Sequence, residues 1–433
     1  MRHFPKITQY RRIVTIGPRH SGKSVLLASV IDHLRKDPDR FLGTNEKWTS
    51  HRVVRYPGDL PEFPLDRILR EASEESLWPE ITTQPAAIRF TAQHPKFWKR
   101  DLTLDFIDFP GENIADFLGA GRFESWSDRV ESLFPDRADP QSVEDFKDFR
   151  ALREQVADGK KDAVELISAY ASMMVRATER GRYLTSPASL CTRVFEPHHR
   201  IDNEDFAPLP PQNKTFPSDL LSEFTQRFAQ YREEQVLPME RLIAEADALI
   251  LPIDIGWIFS GGPSLLRDQH ALLSEMGSLL ARIDTIWNRL SSFLGRSFTP
   301  IDDAFFPGRL RSIVLCATKI DQFRPSDRSL LEDLVRRIAE PIFRGAGLHG
   351  IKVLFTACSA VRSTTDQPDD SLSGFRNGEP INITPPKIPE EWPDHWNTED
   401  FRFPRLDPRI SRHGLYPPAH VNLDRLVRSI LES

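Results

Sequence analysis

Eight residues constrain this chain more than any others. Gly17-Pro18-Arg19-His20-Ser21-Gly22-Lys23-Ser24 has the spacing GxxxxGK[ST]. It stands between a β-branched run, Arg12–Ile16, and a helical pattern carried by Val25, Leu26, Leu27, Val30, Ile31 and Leu34. Strand, glycine loop, helix is the context in which such a loop cradles phosphate. The glycines let backbone N–H groups turn inward, and the helix N-terminus adds a dipole that favours an anion. Gly17, Arg19, His20, Ser21, Gly22, Lys23, Ser24 and Val25 are therefore the expected phosphate-side contacts. Lys23 would neutralise the β- and γ-phosphates, and the Ser24 hydroxyl suits the octahedral oxygen shell of Mg²⁺.

A loop of this kind needs a parallel sheet behind it, and the chain offers one. Leu102–Ile107, Asp247–Asp254, Ser312–Ala317 and Ile351–Thr356 are short apolar runs separated by helical stretches. The fold class expected is α/β, a three-layer αβα phosphate-loop core with a mainly parallel sheet. Between the second strand and Asp247 the pattern changes. Val164, Ile167, Tyr170 and Met174 form one apolar stripe, and Leu221, Phe224, Phe228 and Tyr231 another. Both have helical spacing. The expected organisation is a first core part at 1–114, a helical insertion at 115–245 and a second core part at 246–433.

After Gly261-Gly262-Pro263 a long helix carries Leu272, Met276, Leu279, Ile283, Ile286, Leu290 and Phe293 at heptad spacing. It reads as a helix packed along its own domain, with a homodimer contact as the alternative. From Arg362 to about Pro418 the chain is rich in Pro, and its aromatics Trp392, Trp396, Phe401 and Phe403 predict an irregular segment wrapped over the surface.

Further residues fall in an order that gives each its weight. Asp108-Phe-Pro-Gly111 ends the strand 102–107. Asp108 could reach the Mg²⁺ shell through water, and the Gly111 N–H could bond a γ-phosphate. Thr318-Lys319-Ile320-Asp321 follows the strand 312–317. The Asp321 carboxylate can accept from guanine N1–H and N2–H₂, donors that adenine does not offer together. The Lys319 stem can lie along the base, and Thr318 can tie its loop to the phosphate loop. Ser359-Ala360 follows the next strand, where a backbone N–H would meet guanine O6. Thr82 and Thr83 lie between the phosphate loop and Asp108, and either could close on Mg²⁺. Glu112 stands where related enzymes place a water-orienting Gln, so slow intrinsic turnover is expected unless another group, such as Arg19, compensates.

The run Asp105-Phe-Ile-Asp-Phe-Pro-Gly-Glu112, the pair Gly261-Gly262, the run Ala317-Thr-Lys-Ile-Asp321 and the segment around Phe375-Arg-Asn-Gly378 resemble the YcjX family of bacterial stress-inducible P-loop GTPases. The resemblance covers nearly the whole chain. It implies a cytoplasmic GTP/GDP- and Mg²⁺-dependent hydrolase with an inserted helical domain. It also implies a link to envelope stress, with an inner-membrane protein as partner. The alternative left open is a nucleotide-gated binding module with negligible hydrolysis.

Composition narrows the partners. With 57 basic and 63 acidic side chains the net charge is −6, which argues against a dedicated nucleic-acid binder. Cys191, Cys316 and Cys358 have no metal-like spacing, which suggests reduced thiols. The longest apolar stretch, 248–259, is too short for a bilayer and the N-terminus has no apolar signal segment, so membrane contact would be peripheral.

Overall fold

The computed structural model describes residues 8–43, 48–75, 77–79, 84–96, 100–110, 122–133, 140–180, 205–209, 216–293, 310–348, 350–403, 405–410 and 416–433. Seven strands form the main sheet: β1 (Thr8–Thr15), β2 (Ser50–Arg55), β3 (Ala86–Gln93), β4 (Asp101–Asp108), β5 (Ala248–Ile253), β6 (Ser312–Ala317) and β7 (Lys352–Ala357). Their order is β2-β3-β4-β1-β5-β6-β7. The five strands from β4 to β7 in that order are parallel, and β3 and β2 add antiparallel. The protein is thus α/β with a mixed, mostly parallel sheet.

Every residue of β5 and β6 is buried, which is why both read as uninterrupted apolar runs. Strand β2 is the sheet's edge and exposes Ser50, His51 and Arg52. Polar residues on an edge discourage pairing with another chain. They also hid this strand from the sequence, where no apolar run marks it.

Helix α1 (Lys23–Lys36) follows β1, and α2 (Pro38–Leu42) and α3 (Leu65–Glu74) come before β3. One core joins Leu27, Val30 and Ile31 of α1 to Phe41 and Ile68, to the β3 and β4 residues Phe90 and Leu104, and to Leu423, Leu426 and Ile430 far along the chain.

By contact the chain divides into two compact units. One comprises 1–111, 243–260 and 280–433, the other 112–242 and 261–279. The second unit is helical: α4 (Phe123–Leu133), α5 (Pro140–Ala157), α6 (Ala163–Glu179) and α7 (Ser218–Tyr231). A π-helical turn, Arg232–Val236, then leads into α8 (Leu237–Ala244). Its core is aromatic, with Phe123, Trp126, Phe149, Tyr170, Phe206 and Phe228 fully buried together. Ile167, Tyr170 and Met174 face this core as their spacing predicts, whereas Val164, in the first turn of α6, is exposed.

Two helices follow β5: the short α9 (Ile255–Gly261) and the long α10 (Pro263–Phe293), with Gly262 at φ 84° between them. Leu272, Met276, Leu279 and Ile283 of the heptad seam are buried within the single chain. The side chains of Ile286, Leu290 and Phe293 lie outside the described residues. Helix α11 (Arg328–Gly345) is the crossover from β6 to β7.

The C-terminal segment is more regular than its composition suggests. β8 (Thr365–Asp366), β9 (Leu372–Arg376) and β10 (Glu379–Ile383) form a small antiparallel sheet. Beyond it the aromatics act as anchors. Trp392 Nε1 donates to Leu334 O at 2.9 Å and Trp396 Nε1 to Phe259 O at 2.7 Å. A last helix, α12 (Leu423–Leu431), closes the segment.

Candidate functional site

The loops that leave β1, β4, β5, β6 and β7 all lie at the carboxyl ends of neighbouring parallel strands. β1 lies between β4 and β5, and the chain that leaves it goes to β2 at the far edge and returns through β3 and β4 before β5 begins the other side. Open α/β sheets place their ligand crevice at such a reversal, and the loop after β1 is the one with the glycine spacing.

Three features shape that loop. Gly17 is packed so tightly that a Cβ on it would meet Pro252 O at 3.0 Å and Ser21 Oγ at 3.1 Å. His20 takes φ 64°, unusual for a residue with a Cβ, and Gly22 takes φ 88° as it enters α1. Non-glycine residues held in this region concentrate at ligand sites. Helix α1 begins with no side-chain cap and no acidic residue in its first turn, so its leading N–H groups keep their capacity for an anion.

Lys23 is only 6% exposed and its Nζ donates to Pro18 O at 2.9 Å, which holds the ammonium against the loop. Ser24 Oγ donates to Asp108 Oδ2 at 2.6 Å. A hydroxyl and a carboxylate oxygen so close form a hard-oxygen pair, the donor chemistry that Mg²⁺ takes. Ser24 and Val25, in the first turn of α1, are half-buried, as is Arg19.

The loop after β6 grips the phosphate loop directly. Thr318 Oγ1 donates to Ser21 O at 2.9 Å. Lys319, at φ 57°, sends its Nζ to His20 O and to Asp254 Oδ2, both at 2.7 Å. The His20 ring rests near Trp257, centroids 5.8 Å apart. Desolvation of that ring, then the charges of Arg19, Lys319, Arg405 and Lys23, lowers its pKa to about 4. His20 is therefore neutral at pH 7, and the cationic charge at the loop comes from Lys and Arg.

Asp321 is held from the loop after β7. Its Oδ1 accepts the Ser359 hydroxyl at 2.6 Å and its Oδ2 accepts the Ser363 N–H at 2.8 Å. The carboxyl is 2% exposed, and burial pushes its pKa up against the opposing pull of those two bonds. Ala360 is drawn to α1 by Ser29 Oγ, which donates to Ala360 O at 2.6 Å.

Gly17, Arg19, His20, Ser21, Gly22, Lys23, Ser24, Asp108, Thr318, Lys319, Asp321, Ser359 and Ala360 thus share the end of one sheet. Thr82, Thr83, Gly111 and Glu112 lie outside the described residues. Three participants escaped sequence reasoning: Asp254, Trp257 and Ser363. Asp254 had a signal, a carboxylate at the end of a fully buried strand. Trp257 and Ser363 had none, because their roles arise only from contact.

Comparison with solved structures gives a match to a chain of the signal recognition particle receptor SRb-GTP/SRX complex from Chaetomium thermophilum. It is 12% identical, covers 82% of this chain and 95% of that one, and has a TM-score of 0.28, too distant a superposition to bear on function. Among curated proteins nothing matches the chain. The model of the YcjX-like family, DUF463, matches residues 12–433, from within β1 to beyond α12, and the chain belongs to that family.

Proposed function

We propose that this protein binds GTP and hydrolyses it as a conformational switch. The observation that carries the reading is the pair of contacts by which Thr318 and Lys319 hold the phosphate loop through Ser21 O and His20 O. A loop suited to a base and a loop suited to phosphates are thereby braced into one unit. Lys23 would neutralise the phosphates, Asp321 would read guanine, and Ala360 N–H would meet O6. Ser24 and Asp108 would hold Mg²⁺, which would supply positive charge to offset that of the phosphates. Gly111, Glu112 and one of Thr82 and Thr83 are proposed to respond to the γ-phosphate, and Arg19 to support turnover. Residues 115–245 are the proposed working insertion, on a core of 1–114 and 246–433. No described helix is long and apolar enough to cross a membrane. A cytoplasmic protein that reaches the inner membrane through a partner and serves the envelope stress response fits this reading, with no nucleic acid involved.

Calorimetric titration with GTP, GDP and ATP tests it. Wild type should bind both guanine nucleotides and prefer them to ATP. Lys23→Ala should lose about 1.5–3 kcal/mol of triphosphate binding, the worth of a hydrogen bond to a charged group. Unchanged affinity in that variant would end the phosphate-loop assignment. Single-turnover hydrolysis then separates a switch from a binding module that merely holds nucleotide.

A further inference from the structure

Ser359 and Ser363 hold the carboxylate of Asp321, and its backbone is held as firmly from another direction. Arg328, the first residue of α11, reaches back to the loop after β6. Its Nε donates to Ile320 O at 3.0 Å and its Nη2 to Asp321 O at 3.2 Å. Thr364 Oγ1 donates to the same Asp321 O at 2.6 Å. The guanidinium also meets Asp366 with two parallel bonds, Nη1 to Oδ2 at 2.9 Å and Nη2 to Oδ1 at 2.7 Å.

Asp366 is itself fixed. It belongs to β8, where it pairs with Leu372 of β9. Gly374, two residues further along β9, is packed so closely that a Cβ on it would meet Ser363 O at 3.1 Å. Arg362 Nη2 donates to Asp366 Oδ2 at 2.8 Å. Against the cost of burial, the hydrogen bonds and charge of Arg328, then the charge of Arg362, hold the Asp366 carboxyl below the usual carboxylate range. The contacts close a ring. The chain runs from Asp321 to Arg328, the ion pair crosses to Asp366, and the chain returns to Ser363, whose N–H reaches Asp321 Oδ2 at 2.8 Å. The small C-terminal sheet is thereby joined to Asp321.

A partly exposed ion pair adds little to stability, yet this guanidinium also takes two successive carbonyls of one loop. Hydrogen bonds weaken steeply as they bend. A carboxylate that accepts from two neighbouring donors of one ring must hold its plane as well as its position, whereas one that accepts from a single donor tolerates a small turn. We propose that Arg328 and Asp366 are a positioning pair for Asp321, fixing the plane of its carboxylate so that it accepts from guanine N1–H and N2–H₂ together. This rests on the nucleotide reading above. The pair acts through the Asp321 backbone on one side and through Ser363 on the other.

The test uses the full chain as wild type, Arg328→Lys, Asp366→Asn and the double variant, with GDP and inosine diphosphate as probes in calorimetry. Inosine keeps N1–H and lacks the N2 amino group. Wild type should prefer GDP by roughly 10-fold or more, the effect of one hydrogen bond to a charged group. Lys keeps the charge but has no planar fork, and Asn keeps the shape but turns one acceptor into a donor. Each single variant should therefore lose most of that preference. Its affinity for inosine diphosphate should stay within about threefold of wild type, inside the range of an altered, partly exposed ion pair. Because the two residues act as one unit, the double variant should match the weaker single one within about twofold. A preference that survives in both single variants overturns the proposal, whether the two affinities fall equally, as for a merely structural ion pair, or do not change. A wild type that binds both diphosphates equally removes the reading of guanine by Asp321 and the proposal with it. A wild type that binds neither ends the nucleotide reading. Both results are distinct from variants that retain a preference the wild type has.

Discussion

Asp321 meets two groups of the following loop, one at each carboxylate oxygen, and both are donors. A carboxylate has about four lone-pair positions, so two remain for a ligand that brings donors of its own. Guanine N1–H and N2–H₂ are such donors, together worth roughly 3–6 kcal/mol to a charged acceptor, or about two to four decades of preference over adenine. Asp321→Asn keeps the existing bonds, because the amide oxygen can still accept from Ser363 N–H and the amide N–H can donate to Ser359 Oγ. The variant should therefore fold, lose GTP and gain xanthosine triphosphate, whose ring oxygen matches the new donor. Calorimetry with the two nucleotides checks this. A variant that keeps wild-type affinity for GTP would reduce Asp321 to a carboxylate that merely closes a turn. Elsewhere the residue scale shows restraint. Cys316 Sγ and Cys358 Sγ lie 3.1 Å apart, both fully buried, and burial pushes the Cys316 thiol up, which keeps it unreactive.

Helix α10 carries the heptad seam, and its Leu272, Met276 and Leu279 are spent inside the single chain. Leu279→Ala should cost about 2–5 kcal/mol through lost burial and the cavity left behind. Chemical denaturation should show the loss, with the sedimentation behaviour of the folded protein unchanged. A variant of undiminished stability that sediments as a smaller species would instead make Leu279 a contact between copies. How far elements could be read from the sequence depended on burial. β5 and β6 are buried on both faces and announce themselves as Ala-Leu-Ile-Leu-Pro-Ile and Ser-Ile-Val-Leu-Cys-Ala. β2, Ser-His-Arg-Val-Val-Arg, is an exposed edge and carries no such pattern. The hairpin of β9 and β10 did have a local sign: Asn377-Gly378 with φ 53° and 80°, the pair of positive values that a two-residue hairpin turn requires. Proline-rich surroundings masked it. The loops at 17–24 and 318–321, proposed here for phosphate and base, stood out because their residues are consecutive. Trp257 and Ser363 did not, because they reach those loops from other parts of the chain.

Across the molecule the C-terminal segment returns to α1. His33 Nε2–H donates to Pro418 O at 2.9 Å, so the neutral ring carries its proton on Nε2. The ring stacks on Phe41 at 4.7 Å and meets His420 edge-on at 4.6 Å, with Asp32 and Lys36 on the same helix and Asp424 beside His420. Burial, then the neighbouring His420, lowers the His33 pKa to about 4. The unfolded chain binds this proton near pH 6.5, whereas the folded protein refuses it until about pH 4. Stability from this site is complete above pH 6.5 and declines as pH falls towards 4, by at most ~3 kcal/mol. Urea denaturation across that range should show the decline, and His33→Gln should make it shallower, leaving the share of His20 and His420, whose pKa values are lowered as well. A slope as steep in the variant as in wild type would remove His33 as a source.

The shared core of α1 and α12 sets an order in time as well as in space. Lys23 is made long before Leu431, yet Leu423, Leu426 and Ile430 complete the apolar layer beneath α1. Val421 pairs with Ser359, so the loop that pins Asp321 also waits for the late residues. At about 5–20 residues per second, a ribosome takes roughly 20–80 s to travel from one to the other. Throughout that interval the nascent chain carries the loop at 17–24 without the layer that packs beneath its helix. A chain that stalls before α12 would emerge with that loop present and its support missing.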